Sequence, residues 1–150
     1  MITLQKEVLY DVVDEVEPLL KMHYDELTLN KERIKLDPMW ERYAALEQAE
    51  ALVIYTARDN GKLVGYSAFF VAKHMHYAAL TIVANDVLFL HPDHRTGRTG
   101  IRLIKFCESS LRELLGSFKL TWHAKCGTNL ENVLPKMSYV KEEVILSKLF

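Results

Sequence analysis

The chain has 150 residues, 49% hydrophobic and 26% charged, with a formal net charge of −1. This composition excludes a disordered chain and is long enough to enclose one sizeable core. The near-neutral balance removes the electrostatic footing for general nucleic-acid binding, leaving only local cation clusters to consider.

Taken in chain order, Ile2 to Leu4 is expected as a short first strand. The stretch MITLQKEVLYDVVDEVE lacks the basic start and apolar run of a signal peptide, and no segment approaches the roughly 18 apolar residues of a membrane span. A cytoplasmic location is therefore expected. From Val8, apolar positions 9, 12, 13, 16, 20, 24 and 27 trace a helical stripe, with Pro18 predicting a kink or a restart. A second helix fits Asp37 to Ala51, with Asp37 as cap and Pro38 at the first helical position.

The stretch ALVIYTARDNGKLVGYSAFFVAKH then holds two apolar, β-branched runs around Asn60-Gly61, which predicts an antiparallel hairpin. LTIVANDVLFL reads as a strand buried on both faces. Ile101, Leu103, Ile104, Cys107, Leu111, Leu114 and Leu115 follow at helical spacing, with Cys107 expected as a small buried hydrophobe and Gly116 as the stop. Cys107 and Cys126 are too few and too far apart for a disulfide or zinc framework. KLTWHAKC is expected as a strand, NLENVLPKMS as a short helix or turn, and YVKEEVILSKLF as a last strand. The order β-α-α-β-β-β-α-β-α-β predicts an α/β (α+β) fold: a mixed, mostly antiparallel sheet flanked by helices, in one domain over 1–150.

Between the buried strand and the long helix stand Arg95, Thr96, Gly97, Arg98, Thr99 and Gly100. A helix start offers unpartnered N–H groups and partial positive charge; small residues allow an anion close to them, and two arginines add charge. The loop lacks the Lys-Ser/Thr ending of a P-loop and is not G-x-G-x-x-G. It reads as a phosphate or pyrophosphate cradle, against the plainer reading of glycines that only shape a turn.

The stretch VLFLHPDHRTGRTGIRLIKFCE resembles the coenzyme-A-binding motif of the GNAT superfamily of N-acetyltransferases. The element order of nearly the whole chain is similar to that family's, and small acetyltransferase-like proteins encoded by bacteriophages resemble it most. The family's loop reads Arg/Gln-x-x-Gly-x-Gly/Ala. Arg95 and Gly100 match; Arg98 stands at the first glycine position, with Gly97 one residue earlier. The resemblance implies an acyl-CoA acyltransferase fold, acetyl-CoA as acetyl donor, no metal, and an amine of a small molecule or protein as acceptor. It implies that main-chain groups of Leu88, Phe89 and Leu90 pair with the pantetheine arm while Arg95 to Gly100 hold the pyrophosphate. The thioester would then lie between that strand and the segment around Thr121 to Ala124.

Acetyl transfer needs a group to take a proton from the amine, whose ordinary pKa is about 10. Asp86 is the first expected base, because it interrupts an apolar strand near the expected thioester; its competing reading is a carboxylate bonded to a neighbouring loop or helix end. Asn85 alternates with it, so only one of the two is expected to face the cleft. His123 is the second expected proton carrier. His74, His76, His91 and His94 show no metal-ligand spacing. In the family a tyrosine often serves as acid for the leaving thiolate; its place here falls on Leu134, and Tyr139 is expected to pack with its hydroxyl at the surface. Asp14, Glu15, Glu17, Asp25 and Glu26 read as a solvated acidic face. The competing functional reading is a catalytically weak relative acting as a coenzyme-A-binding or protein-interaction module. Exposed strand edges and the apolar tail Val144 to Phe150 suggest a homodimer.

Overall fold

The computed structural model describes residues 1–150. Five strands form one sheet in the order β1 (Ile2–Glu7), β2 (Leu52–Asp59), β3 (Lys62–Lys73), β4 (Thr81–Leu90) and β5 (Lys119–Thr121). All neighbours are antiparallel except β4 and β5, which run parallel. The expected mixed, mostly antiparallel α+β fold is thus the observed one. At the β2–β3 hairpin, Asn60 has φ 49° and Gly61 φ 85°, the left-handed pair that a two-residue turn requires.

Helices cover both faces. Helix α3 (Thr99–Leu115) buries Leu103, Ile104, Cys107 and Leu111, and packs on Tyr55, Phe69, Val83 and Leu90. Helices α1 (Leu9–Leu27) and α2 (Trp40–Gln48) cover the opposite face, where Val12, Val16 and Leu19 meet Leu63, Tyr66 and Phe89. A last short helix, α4 (Asn129–Lys136), buries Leu134. Gly65 permits the close approach of β3 to the end of β4: a Cβ there would lie 2.8 Å from Leu90 Cδ1 and 3.0 Å from the Phe89 carbonyl oxygen.

Four sequence expectations change. Of the kink or restart expected at Pro18, the restart does not occur: α1 runs on through Pro18, with buried Val16 and Leu19 on either side of it. Helix α2 is shorter than Asp37–Ala51; it buries no residue completely, and Glu50 at φ 57° turns the chain out of the helix. The strand expected from KLTWHAKC is only Lys119–Thr121. The last strand does not form: no helix or strand occurs after Lys136, and Val140, Val144, Ile145, Leu146 and Phe150 are exposed. A three-residue β5 is too short a template for it. Ion pairs hold part of this tail instead, Lys119 to Glu142 at 2.7 Å and Lys141 to Glu131 at 3.4 Å, and Arg33 donates to the Phe150 carbonyl at 2.9 Å.

On the β1–β2 side, Arg58 donates through Nε to Glu7 at 2.8 Å and through both terminal nitrogens to Glu15. Burial works against the Glu7 charge, but bonds from Arg58, Gln5 and Thr56 outweigh it and hold its pKa below the ordinary value; the Arg58 bonds do the same for Glu15. Arg58→Met should lower stability in urea by about 3 kcal/mol, almost all from the Glu7 arm, whose two partners are nearly buried, since the Glu15 arm is screened by solvent. With both folded pKa values depressed below 4.5, this stabilisation is complete above that pH and fades as pH falls through the lowered values, so the gap between variant and parent should close in acid.

Candidate functional site

The central feature is an irregularity in β4. Its register with β3 passes from Ala68↔Val87 directly to Phe69↔Asn85, so Asp86 is an extra residue with no partner in the ladder. Asn85 fixes this bulge from inside. It is 1% exposed, and its Nδ2 lies 3.1 Å from Ser67 Oγ, 3.2 Å from the Ala68 carbonyl and 2.8 Å from the Val87 carbonyl. Ser67 Oγ, also buried, donates to the same Val87 carbonyl at 3.0 Å.

Asp86 is thereby turned toward α2. Tyr43 Oη donates to its Oδ2 at 2.7 Å; this is the carboxylate's one hydrogen bond, and no cation lies within 4.0 Å of it. Tyr43 stacks on Phe70 at 6.1 Å between ring centres and tilts against Trp40 at 5.8 Å. On the other side, buried Tyr66 shares a 3.3 Å hydrogen bond with His23 Nδ1, and His23 stacks on Phe89 at 5.1 Å. Burial raises the pKa of both tyrosines, with the bond to Asp86 adding to it for Tyr43 and the Asp86 charge adding to it for Tyr66. Burial also pushes His23 below the usual imidazole value, so its ring is neutral at pH 7.

Beside this group the sheet opens. Pairing of β4 with β5 runs only from Ile82↔Lys119 to Ala84↔Thr121. Main-chain groups alternate in direction along a strand, so part of those from Asn85 to Leu90 face a side with no neighbouring strand. That free edge includes Leu88, Phe89 and Leu90 and leads into a short turn, Pro92–His94, and then the glycine loop. Gly97 has φ 77°, and Arg98 precedes α3 without a side-chain cap. The N–H groups of Thr99, Gly100 and Ile101 therefore stand at the helix start without helical partners, flanked by the Thr96 and Thr99 hydroxyls.

The two arginines differ. The Arg98 side chain is exposed and makes no hydrogen bond or ion pair. Arg95 is committed: Nε donates to the Leu90 carbonyl at 2.8 Å, both terminal nitrogens grip Glu26 at 2.7 Å, and the guanidinium lies over the Phe89 ring. It braces the loop against the end of α1, and the Leu90 carbonyl is already engaged.

Asp86 and the Arg95–Gly100 loop thus flank one free strand edge. His123 is exposed past the end of β5 and makes no hydrogen bond, so none joins it to Asp86. Leu134 is buried, and the Tyr139 hydroxyl donates to Glu108 on α3 at 2.6 Å, both residues lining an open groove. No group of three or more His, Cys, Asp or Glu side chains is placed to hold a metal ion. The sequence reading missed His23, Tyr66 and the contact of Tyr43. For His23 the signal was its place in the series 12, 16, 19, 23, a polar residue at apolar spacing. Two open grooves of about 580 and 440 Å³ lie elsewhere, one around Arg112 and Tyr139 and one around Met22 and His94, and Asp86 lines neither.

No protein-family model matches the chain, and no curated protein matches it. Solved structures do. The ribosomal-protein-alanine N-acetyltransferase of Brucella melitensis biovar Abortus 2308 superposes with a TM-score of 0.71 at 21% identity, over 100% of this chain and 99% of that one. Glucosamine-6-phosphate N-acetyltransferase of Arabidopsis thaliana gives 0.73 at 14% identity, over 100% and 99%. A Clostridium acetobutylicum protein described as a predicted acetyltransferase, solved with acetyl-CoA, gives 0.73 at 15% identity, over 100% and 96%. At these identities the likeness establishes the fold alone, one shared with these acetyltransferases.

The bulge depends on Asn85, since its buried amide joins Ser67 Oγ, the Ala68 carbonyl and the Val87 carbonyl from within the sheet. Asn85→Ala should lower stability by about 2 kcal/mol, read from chemical denaturation.

Proposed function

We propose that this chain is an acetyl-CoA-dependent N-acetyltransferase that moves an acetyl group to an amine of a small molecule or protein by direct attack in a ternary complex. One observation carries the reading: the free edge of β4 begins at a bulged, part-buried carboxylate and ends at the uncapped start of α3. A pantetheine arm contains two peptide-like amides, suited to a strand edge, and a pyrophosphate suits helix-start amides beside a free arginine. The donor set fits. Main-chain groups of Leu88 and Phe89, with the remaining groups of Leu90, would hold the arm; Thr96, Gly97, Arg98, Thr99 and Gly100 would hold the pyrophosphate, with Arg95 as their brace. Acetyl-CoA, when bound, supplies the activated thioester.

Asp86 takes the amine's proton on its free Oδ1, leaving a neutral amine and a neutral carboxyl. Tyr43 fixes the other oxygen, and the Asn85–Ser67 plug fixes the strand beneath it. His123 is assigned as the carrier that takes the proton the nitrogen loses as the amide forms and gives it to the leaving sulfur, while Asp86 releases its own proton to water, because Leu134 has none to give and Tyr139 is bonded to Glu108. The same lack of a tyrosine at position 134 favours the second reading, a coenzyme-A-binding or interaction module with little turnover.

Calorimetry with coenzyme A and acetyl-CoA, and thiol release with an amine panel, test both readings. Asp86→Asn should reduce turnover by about 10² to 10⁴ with coenzyme A affinity unchanged. Persistent thiol release in that variant removes the base assignment, and failure of either nucleotide to bind removes the transferase. Arg98→Ala should weaken coenzyme A about tenfold while leaving the melting temperature in place, whereas Arg95→Ala should lower both.

A further inference from the structure

The segment from Val140 to Phe150 has the residues of a strand and nothing to pair with. It contains no glycine or proline, and Val144, Ile145 and Leu146 form a continuous apolar run. Val140, Val144, Leu146 and Phe150 are 81%, 67%, 91% and 90% exposed, so most of each side chain stands in water. The segment makes no main-chain to main-chain hydrogen bond. Its ties to the body are the ion pairs of Lys141 and Glu142 and the Arg33 contact with the Phe150 carbonyl. The sheet ends at β5, which offers an edge of three residues. A second copy of the segment offers eleven.

The segment is complementary to itself when two copies run antiparallel with Ile145 opposite Ile145. Val144 then faces Leu146, Val140 faces Phe150 and Glu142 faces Lys148, each contact occurring twice. These six positions lie on one side of the ribbon, because opposite residues share a face and alternate residues return to it. The other side has Ile145 at its centre, with Lys141 opposite Leu149 and Glu143 opposite Ser147. A slip of one residue sets Phe150 on Lys141 and Leu149 on Glu142; the reverse slip sets Lys148 on Lys141 and Leu146 on Glu143. A parallel pair in register sets Glu142 on Glu142 and Lys148 on Lys148. One register alone satisfies the apolar and the charged positions together. Glu142 holds Lys119 through Oε2, which leaves Oε1 for Lys148 of the second copy.

We propose that Val140 to Phe150 is a self-association strand: it pairs antiparallel with the same segment of a second copy, centred on Ile145, and the last strand of the sequence forms only in that dimer. A ribbon of two strands is marginal in water, so strand order and association rise together with concentration. This holds whether or not the chain is a transferase.

The test is sedimentation and NMR of the full chain. As concentration rises toward about 1 mM, the mass should move toward that of a dimer and the ¹³C shifts of residues 140–150 toward strand values. Glu142→Lys and Lys148→Glu each set like charges opposite one another twice per dimer, and each should weaken association about tenfold. Mixed in equal amounts, the two variants regain both opposite-charge pairs and should associate as tightly as the parent. Glu143→Lys, opposite a serine, should change association by less than about twofold. In the parent itself, contacts between Val144 of an isotope-labelled copy and Leu146 of an unlabelled one read the register, whatever the variants do. A chain that stays monomeric, strand shifts that appear without association, contacts in another register, or a mixture no tighter than either variant alone overturns the proposal. Coenzyme A binding and thiol release bear on the transferase and not on this dimer, so either reading can fall without the other.

Discussion

One residue too many in β4 governs everything around it. An antiparallel pair with unbroken register would send Asn85 and Asp86 to opposite faces and leave each main-chain group with a partner. The extra residue instead releases Asp86 from the ladder, and the part-buried Val87 carbonyl beside it is satisfied locally. Asn85 and Ser67 do this with short side chains that reach the Val87 carbonyl from within the sheet. The polar plug is therefore the condition for the carboxylate outside it, and the same irregularity lies where the sheet parts between β4 and β5.

A second constraint links the two ends of the open edge. Arg95 ties the close of β4 to the last turn of α1, and α1 carries His23 onto Phe89. The loop ahead of α3 is thus anchored to the helix that lines the aromatic group, so the loop and the carboxylate share a frame. Gly65 belongs to that frame too, by allowing β3 and β4 to close on each other at Leu90.

Much of this was legible in the chain because the signals are local. Asn60-Gly61 dictates its turn by φ alone, and the stripe from Ile101 to Leu115 dictates α3 by period. The glycine and arginine residues marked the turn that precedes α3 and leaves its start uncapped. What was not legible depends on partners distant in sequence. A bulge is a statement about register with another strand, so simple alternation was the only reading open to Asn85 and Asp86. Whether Arg95 or Arg98 is free depends on Glu26, sixty-nine residues from Arg95. The last strand failed because its hydrophobic content is real but β5 offers it too short an edge, which no feature of YVKEEVILSKLF can report.

The grip of Arg95 on Glu26 has a consequence for how the loop meets any anion. Glu26 is a tethered competitor, present at the guanidinium at an effective concentration far above that of a free solute. A phosphate arriving there must either settle for Arg98 and the helix amides or evict an occupant that is always on hand. Eviction would loosen the end of α1 from the end of β4, so whatever occupancy Arg95 contributes is discounted by the slack it introduces on the far side of the sheet.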